Sequence, residues 1–289
     1  MGFFNRKKKV VTVEKTVTTT TTSTREVDTD NVHNPNHTAN EEPLSRVAPK
    51  DIGKLDMVIA FDTTGSMAQY IGAVRRKVSE LIPQLYKDNE DLRLGIVAFG
   101  DYCDMNNAQD FGDAYQCIHP TDNVNELIKF VINSKDTHGG DGPEFYELVI
   151  KRIVEETPWR EGSTRSILLI ADSEPHGVGY TYKNYVVKNG IDWREEAQKA
   201  ANEKIKIDTV TITDEPWFRQ LSAMTNGVSV PFHTGEKTAD LVRASVMARG
   251  SVDARRRFDI LQSECSDEEM KKVYASYRKE RHIDAEFTD

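Results

Sequence analysis

The stretch that decides the fold runs from Leu55 to Met67 and reads LDMVIAFDTTGSM. Its apolar run, Met57–Phe61, has the length and composition of a short buried strand. A polar turn follows, and residues 67–86 then place apolar side chains at helical spacing on one face: Ile71, Val74, Val78, Leu81, Ile82 and Leu85. The stretch therefore predicts a strand that leads through a polar loop into a helix.

The same alternation continues to about Arg249. Further strands are predicted at Leu92–Phe99, Ala114–His119, Ser166–Ala171, Ile205–Ile212 and Val228–Phe232. Further helices are predicted at Val124–Ser134, Pro143–Glu156, Ile191–Lys204, Pro216–Met224 and Thr238–Ala248. Such alternation is typical of an α/β fold with a doubly wound, mostly parallel central sheet and helices on both faces. Through a hairpin, the segment Ala114–His119 would add one short antiparallel edge strand.

Composition divides the chain into three regions. Residues 1–50 contain an unbroken threonine run at 18–22 and few large apolar side chains, which predicts a disordered Thr-rich tail. Inside it, Val10–Val17 alternates like a lone strand that would need a partner edge. Residues 51–250 are predicted to form the α/β domain. Residues 251–289 are predicted to be a C-terminal helical extension, whose last helix opens with a capping-box pattern at Ser266–Glu269.

Charge and composition exclude several classes of protein. The chain has 289 residues with 38 Lys+Arg and 47 Asp+Glu, a net charge of −9, so we expect no nucleic-acid binding. It has no apolar run of the ~18 residues that a membrane span needs and no secretory signal, so we expect a cytoplasmic protein with three free cysteines. We interpret the basic N-terminus as a solubilising tail and expect no membrane contact from it.

Oxygen-bearing side chains follow the predicted strands at the edge where a doubly wound sheet binds its ligands. Five of them are predicted to meet there: Asp62, Thr64, Ser66, Asp141 and Asp172. The first three follow the first strand, the fourth lies in the glycine-rich loop 139–144, and the last follows the strand that ends at Ala171. Such hard donors suit Mg²⁺, Mn²⁺ or Ca²⁺ and are poor ligands for zinc. The sequence therefore predicts a divalent-cation site.

An apolar run followed by Asp-x-Thr-x-Ser and a helix resembles the metal-ion-dependent adhesion site of von Willebrand factor type A (VWA) domains. The resemblance covers about residues 54–249. The loops GGDGPE (139–144) and DSEPHG (172–177) are also similar to VWA domains found beside atypical alpha-kinases and in many bacterial proteins. The resemblance implies that Asp62, Thr64 and Ser66 form the first element of the site and Asp172 the last. The second loop departs from the family, because Asp141 stands where a threonine is usual.

The resemblance implies a noncatalytic, metal-dependent protein–protein interaction module. In the family, the metal keeps one coordination position open for an acidic side chain of a partner protein, and the partner of this chain is unknown. Asp141 leaves three alternatives: it contacts the metal directly, it acts through water, or it caps a helix that begins near Pro143.

Two other functions compete with the binding module. One is a Mg²⁺-dependent phosphoryl-transfer or phosphatase-like enzyme, since some phosphatases also place an aspartate after the first strand. Those enzymes need a second carboxylate two residues on, where this chain has Thr64. The sequence also lacks a Gly-x-x-x-x-Gly-Lys-Ser/Thr phosphate loop and a Gly-x-Ser-x-Gly elbow, so we expect no catalysis. The other is a structural subunit of a larger assembly with a purely structural metal.

Further side chains near the same edge have more than one interpretation. Asp101 and Asp104 extend the acidic rim, hold a second cation or form a turn. His176 is either a ligand or a hydrogen-bond partner of a neighbouring loop. Glu144 either accepts a hydrogen bond from a metal-binding hydroxyl or serves the first turn of a helix.

The substitution Asp141→Thr is predicted to weaken Mg²⁺ binding. A third carboxylate neutralises the ion more fully, so the parent should hold the resting metal more tightly and capture an acidic ligand less well. Calorimetric titration of both proteins with Mg²⁺ measures this difference. Weaker binding by the parent would contradict the prediction.

Overall fold

The computed structural model describes residues 53–107, 109–182, 190–231 and 237–286. The tail predicted for residues 1–50, with its strand-like segment Val10–Val17, lies outside the described residues. Within those residues, no helix combines the length and the apolar character needed to cross a lipid bilayer.

The described strands form one six-stranded sheet: β1 (Leu55–Asp62), β2 (Leu92–Phe99), β3 (Tyr115–Thr121), β4 (Thr164–Ala171), β5 (Ile205–Thr211) and β6 (Ser229–Pro231). Their order is β3-β2-β1-β4-β5-β6. All neighbours are parallel except β2 and β3, which are antiparallel. The predicted fold class is confirmed, including the antiparallel edge strand.

Helices cover both faces of this sheet. The described α-helices are α1 (Ala68–Asp88), α2 (Val124–Asn133), α3 (Tyr146–Glu156), α4 (Trp193–Asn202), α5 (Pro216–Met224), α6 (Thr238–Arg249), α7 (Val252–Glu264) and α8 (Glu268–Glu286). The core on one face includes side chains of α1, α2, α6, α7 and α8. The core on the other face includes side chains of α3, α4 and α5.

Strand β1 lies at the centre of the sheet, and all eight of its residues are buried. Because successive strand residues point to opposite faces, one core receives Leu55, Met57, Ile59 and Phe61. The other core receives Val58 and Ala60. Burial on both faces explains why this strand reads as a continuous apolar run rather than as an alternating one. It also fixes the position of Asp62 at the carboxyl end of the strand.

Helix α3 begins at Tyr146, three residues after the predicted start at Pro143. The backbone of Glu144 is engaged elsewhere: its N–H donates to the Glu174 carbonyl, and its carbonyl accepts from the His176 N–H. These bonds join the loop before α3 to the loop after β4. Because the loop backbone pairs with a distant segment, it cannot form the first helical turn, and the interpretation of Asp141 as the cap of that helix is wrong.

Helix α8 is capped by a different residue from the predicted one. The Asp267 carboxylate accepts hydrogen bonds from the backbone N–H groups of Glu269 and Met270. The helix therefore begins one residue later than the Ser266–Glu269 pattern indicated, because a carboxylate satisfies the free amides as well as a hydroxyl does. Helices α7 and α8 contribute Phe258, Val273 and Tyr277 to the core that also contains α1 and α6.

A buried polar network joins β5 to α6 and α8. The Asp208 carboxylate pairs with the Arg249 guanidinium at 2.6 Å and accepts from the Tyr277 hydroxyl at 3.0 Å. It also accepts from the Ser245 hydroxyl at 2.6 Å and from the Val228 N–H at 2.9 Å. Burying a charge requires this number of partners, because an unpaired ion inside a protein is strongly destabilising.

The substitution Arg249→Met is predicted to lower the free energy of unfolding by about 3–5 kcal/mol, because it leaves the buried Asp208 carboxylate without its cation. Urea denaturation followed by circular dichroism measures this change. The matched control is Arg256→Met: the Arg256 side chain is 74% exposed and pairs with the exposed Asp253, so its effect should stay within ~0.5 kcal/mol. Equal effects of the two substitutions would contradict the prediction.

Candidate metal centre

The site lies where the chain changes direction in the sheet. From β1 the chain builds β2 and β3 on one side, and from β4 it builds β5 and β6 on the other. Ligands of doubly wound sheets bind at such a switch point, beyond the carboxyl ends of the strands. The loop after β1 and the loop after β4 therefore meet here, together with the loop before α3, which is hydrogen-bonded to both.

Asp62, Thr64 and Ser66 form a connected set of oxygen donors after β1. The Asp62 Oδ1 atom accepts from the Thr64 N–H and from the Thr64 hydroxyl, each at 2.7 Å. The hydroxyl oxygens of Thr64 and Ser66 are 3.2 Å apart. Asp62 and Thr64 are buried, whereas Ser66 is exposed at the mouth of the site. Along the motif, the oxygen donors therefore run from the buried end of β1 at Asp62 to the solvent-exposed Ser66.

Asp172 joins this set from the end of β4. Asp172 lines the same cleft as Ser66, whose hydroxyl opposes the effect of burial on the Asp172 pKa, and the Asp172 charge is close enough to Asp62 to raise the pKa of that group. The Oδ1 atom of Asp172 is buried and has no hydrogen-bond partner among the described residues. The structure therefore brings together four of the predicted side chains: Asp62, Thr64, Ser66 and Asp172.

Burial dominates the electrostatics of these carboxyl groups. Removal from water raises the pKa of Asp62 to about 7, although hydrogen bonds from Tyr146 and Thr64 oppose the shift. Burial also raises the pKa of Asp172. Within the described residues, no lysine or arginine forms an ion pair with either aspartate. The site thus concentrates negative charge that a cation would stabilise.

Asp141 lies at the edge of the same region but makes different contacts. It lines an open cleft of about 370 Å³ together with Ser66 and Asp172. Its carboxylate accepts from the Tyr180 hydroxyl at 3.0 Å, and its other oxygen lies 4.0 Å from the Nε2 atom of His176. Asp141 therefore shares the cleft with Ser66 and Asp172, while its hydrogen bond holds it towards the loop after β4.

Two further residues, Tyr146 and Glu144, support the site. The sequence pattern did not indicate a role for Tyr146 there, and it left two roles open for Glu144. The buried Tyr146 hydroxyl donates to the Asp62 Oδ2 atom at 2.5 Å and accepts from the Ser173 N–H at 3.2 Å. Sequence patterns indicated Tyr146 only as a helix residue, since no local signal reports a contact with a side chain 84 positions away. The buried Glu144 precedes α3, which begins at Tyr146, so the helix-turn interpretation of this residue is wrong. The Thr64 hydroxyl opposes the effect of burial on the Glu144 pKa.

Glu144 is held in an environment that favours its neutral form. Burial, followed by the charge of Asp62, raises its pKa to about 10. Its Oε2 atom is buried without a hydrogen-bond partner among the described residues. Gly139, at φ +66°, brings its backbone against the same carboxyl group, and a Cβ at that position would lie 2.7 Å from the Glu144 Oε1 atom.

Asp104 and Asp101 stabilise the neighbouring loops. The Asp104 carboxylate accepts from the backbone N–H groups of His138 and Gly139, at 2.9 and 3.1 Å. It thereby fixes the turn that carries Asp141. Asp101 is buried and lies 2.7 Å from the Nε2 atom of His176, so His176 does contact a neighbouring loop, as one of the two interpretations held.

The donor set fits a divalent cation of the hard class. It consists of carboxylate and hydroxyl oxygens, which Mg²⁺, Mn²⁺ and Ca²⁺ prefer. The unpartnered buried oxygen of Asp172 is the second indication, because such an atom costs free energy unless a ligand satisfies it. The arrangement can bind a cation and leave its outer side towards the open cleft.

This chain is similar to several known proteins. A family model described as the von Willebrand factor type A domain matches residues 56–242. The alpha-protein kinase vwkA of Dictyostelium discoideum is 28% identical over 128 residues, which are 44% of this chain and 19% of the kinase. Two structures of proximal thread matrix protein 1 from the mussel byssus align with a TM-score of 0.49 at 13% and 14% identity, covering 67% of this chain and 47% of theirs. The chain thus spans less than half the length of each of these relatives.

The metal-free protein is predicted to lose stability as the pH rises from about 5 to 8. Burial raises the pKa of four carboxyl groups in the folded state, of which the first three are buried and the last is half-buried: Asp62, Glu144, Glu147 and Asp172. Above pH 5 the unfolded chain releases protons that the folded state retains, so the free energy of unfolding falls by roughly 1.4 kcal/mol per pH unit for each retained proton. Thermal denaturation in the presence of a chelator measures this trend.

The control for the pH trend is Glu144→Gln, which keeps the shape of the side chain and removes its titration. This variant should show a shallower decline over the same pH range. A metal-free protein that became more stable towards pH 8 would disprove the prediction.

Proposed function

Because this chain belongs to the von Willebrand factor type A domain family, we propose that it is a noncatalytic module that binds other proteins through a divalent cation. The observation that carries the proposal is the convergence of Asp62, Thr64, Ser66 and Asp172 at the ends of β1 and β4. A buried carboxylate oxygen of Asp172 has no hydrogen-bond partner among the described residues. A domain of this family with such a donor set is equipped to hold a metal at the rim of its sheet.

We assign the metal-binding role to Asp62, Thr64, Ser66, Asp141 and Asp172, with Mg²⁺ as the ion and Mn²⁺ or Ca²⁺ as substitutes. The two hydroxyl groups are neutral, so they hold the cation without cancelling its charge. An acidic side chain of a partner protein would then complete the metal shell from the open cleft, as in the family. Asp141 contributes from the rim, either directly or through water, since its hydrogen bond to Tyr180 draws it away from the other four side chains.

Tyr146 and Glu144 act as positioning residues in this proposal. The hydroxyl of Tyr146 fixes one oxygen of Asp62 and so directs the other towards Thr64. Outer partners of this kind set the orientation of metal ligands and contribute about 10–100-fold to metal affinity. Glu144 supports Thr64 from the loop before α3.

Location and boundaries are part of the same proposal. The three cysteine thiols are unpaired, which suits a reducing compartment such as the cytoplasm. We propose residues 51–250 as the metal-binding domain and residues 251–289 as a helical extension, of which Phe258, Val273 and Tyr277 lie in the core that also contains α1 and α6. The acidic balance of the chain argues against a nucleic-acid partner, because phosphate contacts need clustered lysine and arginine.

Replacing Asp62 and Ser66 together by alanine is predicted to abolish Mg²⁺ binding and the capture of partner proteins. The double variant removes a buried carboxylate and an exposed hydroxyl from the same donor set, so the cation loses two of its proposed ligands. Affinity capture from the native cell with the parent and the variant side by side, combined with Mg²⁺ calorimetry, measures both effects. Proteins retained only by the parent are the metal-dependent partners.

The matched control is Asp214→Ala, which removes an aspartate whose side chain is 91% exposed on the loop after β5. This variant should bind Mg²⁺ and the same partners as the parent.

The proposal fails if the parent hydrolyses generic phosphate esters with Mg²⁺ and loses that activity on Asp62→Asn. Oligomers that separate when the metal is removed would instead favour a structural metal.

A further inference from the structure

A second group of possible metal ligands lies beside the proposed centre. The Nε2 atom of the buried His176 is 2.7 Å from Asp101 Oδ1 and 4.0 Å from Asp141 Oδ1. One ligand atom from each of these three residues lies within 4.8 Å of the other two. The group draws on three separate loops, so its assembly is a property of the folded chain.

Asp101 provides an independent sign of a missing ligand. Its side chain is fully buried, and its Oδ2 atom has no hydrogen-bond partner among the described residues. A buried carboxylate oxygen without a donor costs free energy, and in native structures it commonly marks an ion or a bound water.

The charge around this group is also unbalanced. Within the described residues, the ion-pair partners of Asp101, Asp104 and Asp141 are histidines, and none is a lysine or an arginine. The buried Glu147 lies close by, since its carboxylate accepts a hydrogen bond from the backbone N–H of His176 at 3.2 Å. A cation would balance these carboxylates.

The ring of His176 is held in a defined orientation. It stacks on the ring of Tyr180 with centroids 3.6 Å apart and an interplanar angle of 23°. The hydroxyl of the same tyrosine donates to Asp141 Oδ2. Tyr180 thus positions two of the three ligands at once, which is the kind of outer support that metal sites require.

We propose that Asp101, Asp141 and His176 form a second cation site beside the centre at Asp62, sharing the rim residue Asp141 with it, and that this second site binds a divalent transition metal of the Zn²⁺ class. An imidazole nitrogen with two carboxylate oxygens suits such a metal, whereas Mg²⁺ and Ca²⁺ prefer oxygen alone. Ligands of tetrahedral zinc lie about 3.4 Å apart, given bonds of about 2.0–2.2 Å. The observed separations of 2.7 and 4.0 Å lie on either side of that value.

Metal binding at this site replaces the hydrogen bond between His176 and Asp101. The Nε2 atom must be unprotonated to donate its electron pair, so any proton on it leaves when the metal binds. Cys103 is nearby, but burial and the charges of Asp104 and Asp101 raise the pKa of its thiol to about 12. Its sulfur does not belong to the group of ligand atoms that lie within 4.8 Å of one another, so Cys103 is not assigned to the site.

Calorimetric titration of the full chain with Zn²⁺, in excess Mg²⁺ to fill the first centre, tests the proposal. The key variant is His176→Gln, whose amide can keep the hydrogen bond to Asp101 but is a poor zinc ligand. We expect Zn²⁺ affinity to fall by about 100-fold or more, since losing even an outer-shell partner costs about 10–100-fold. Asp141→Asn, at a side chain that is 43% exposed and so tolerant of change, should lower it by about tenfold or more.

Two controls separate this site from other histidines and thiols. His138→Gln alters a histidine whose side chain is 95% exposed, and Cys103→Ser removes the neighbouring thiol. Both variants should bind Zn²⁺ as the parent does. His176→Gln should also keep the Mg²⁺ affinity of the parent.

The outcomes are distinct from those of the proposed function. Loss of Mg²⁺ binding in Asp62→Ala/Ser66→Ala with retained Zn²⁺ binding supports two sites. Loss of Zn²⁺ binding in that double variant, together with full binding in His176→Gln, overturns the proposal. A parent that binds no Zn²⁺ overturns it as well. If His176→Gln does not fold, unchanged Zn²⁺ affinity in Asp141→Asn overturns it, and reduced affinity supports it.

Discussion

Buried negative charge at the carboxyl ends of β1 and β4 is the constraint on which the rest of the site depends. Asp62 is fully buried, and Asp172 is close enough for its charge to raise the pKa of Asp62. Without a cation, hydrogen bonds from Thr64 and Tyr146 stabilise Asp62, and burial raises the pKa of both aspartates so that they retain protons to higher pH. A divalent ion would replace those protons, so metal binding and protonation compete for the same oxygens.

Burial of the large apolar core on both faces of the sheet offsets the free energy that burying these carboxyl groups costs. Strand β1 is buried along its whole length and contributes side chains to both cores. The rigid strand places Asp62 at one position, and the connection through α1 leaves the same edge. The buried Asp208 of β5 is stabilised differently: it pairs with Arg249 of α6 and accepts a hydrogen bond from Tyr277 of α8.

The elements of the fold were largely predictable, and the errors have local physical causes. The apolar runs located β1, β2, β4 and β5, because parallel central strands are buried on both faces. The edge strands β3 and β6 were also predicted to within two residues of their observed ends. The start of α3 was placed too early at Pro143, since Glu144 pairs its backbone with the loop after β4. The cap of α8 was assigned to Ser266 although Asp267 satisfies the free amides. Both errors concern hydrogen bonds that compete with the local pattern.

The sequence by itself determined the α/β alternation, the sheet edge that carries the polar loops, and the grouping of Asp62 with its two hydroxyl neighbours. These features depend on periodicity and on spacing within a few residues, which the chain order displays directly. Only the tertiary structure decided that Tyr146 fixes Asp62 and that His176 meets Asp101, contacts that span 84 and 75 positions. The direction of Asp141 was settled in the same way, because the meeting of three loops depends on how the helices pack and not on local pattern.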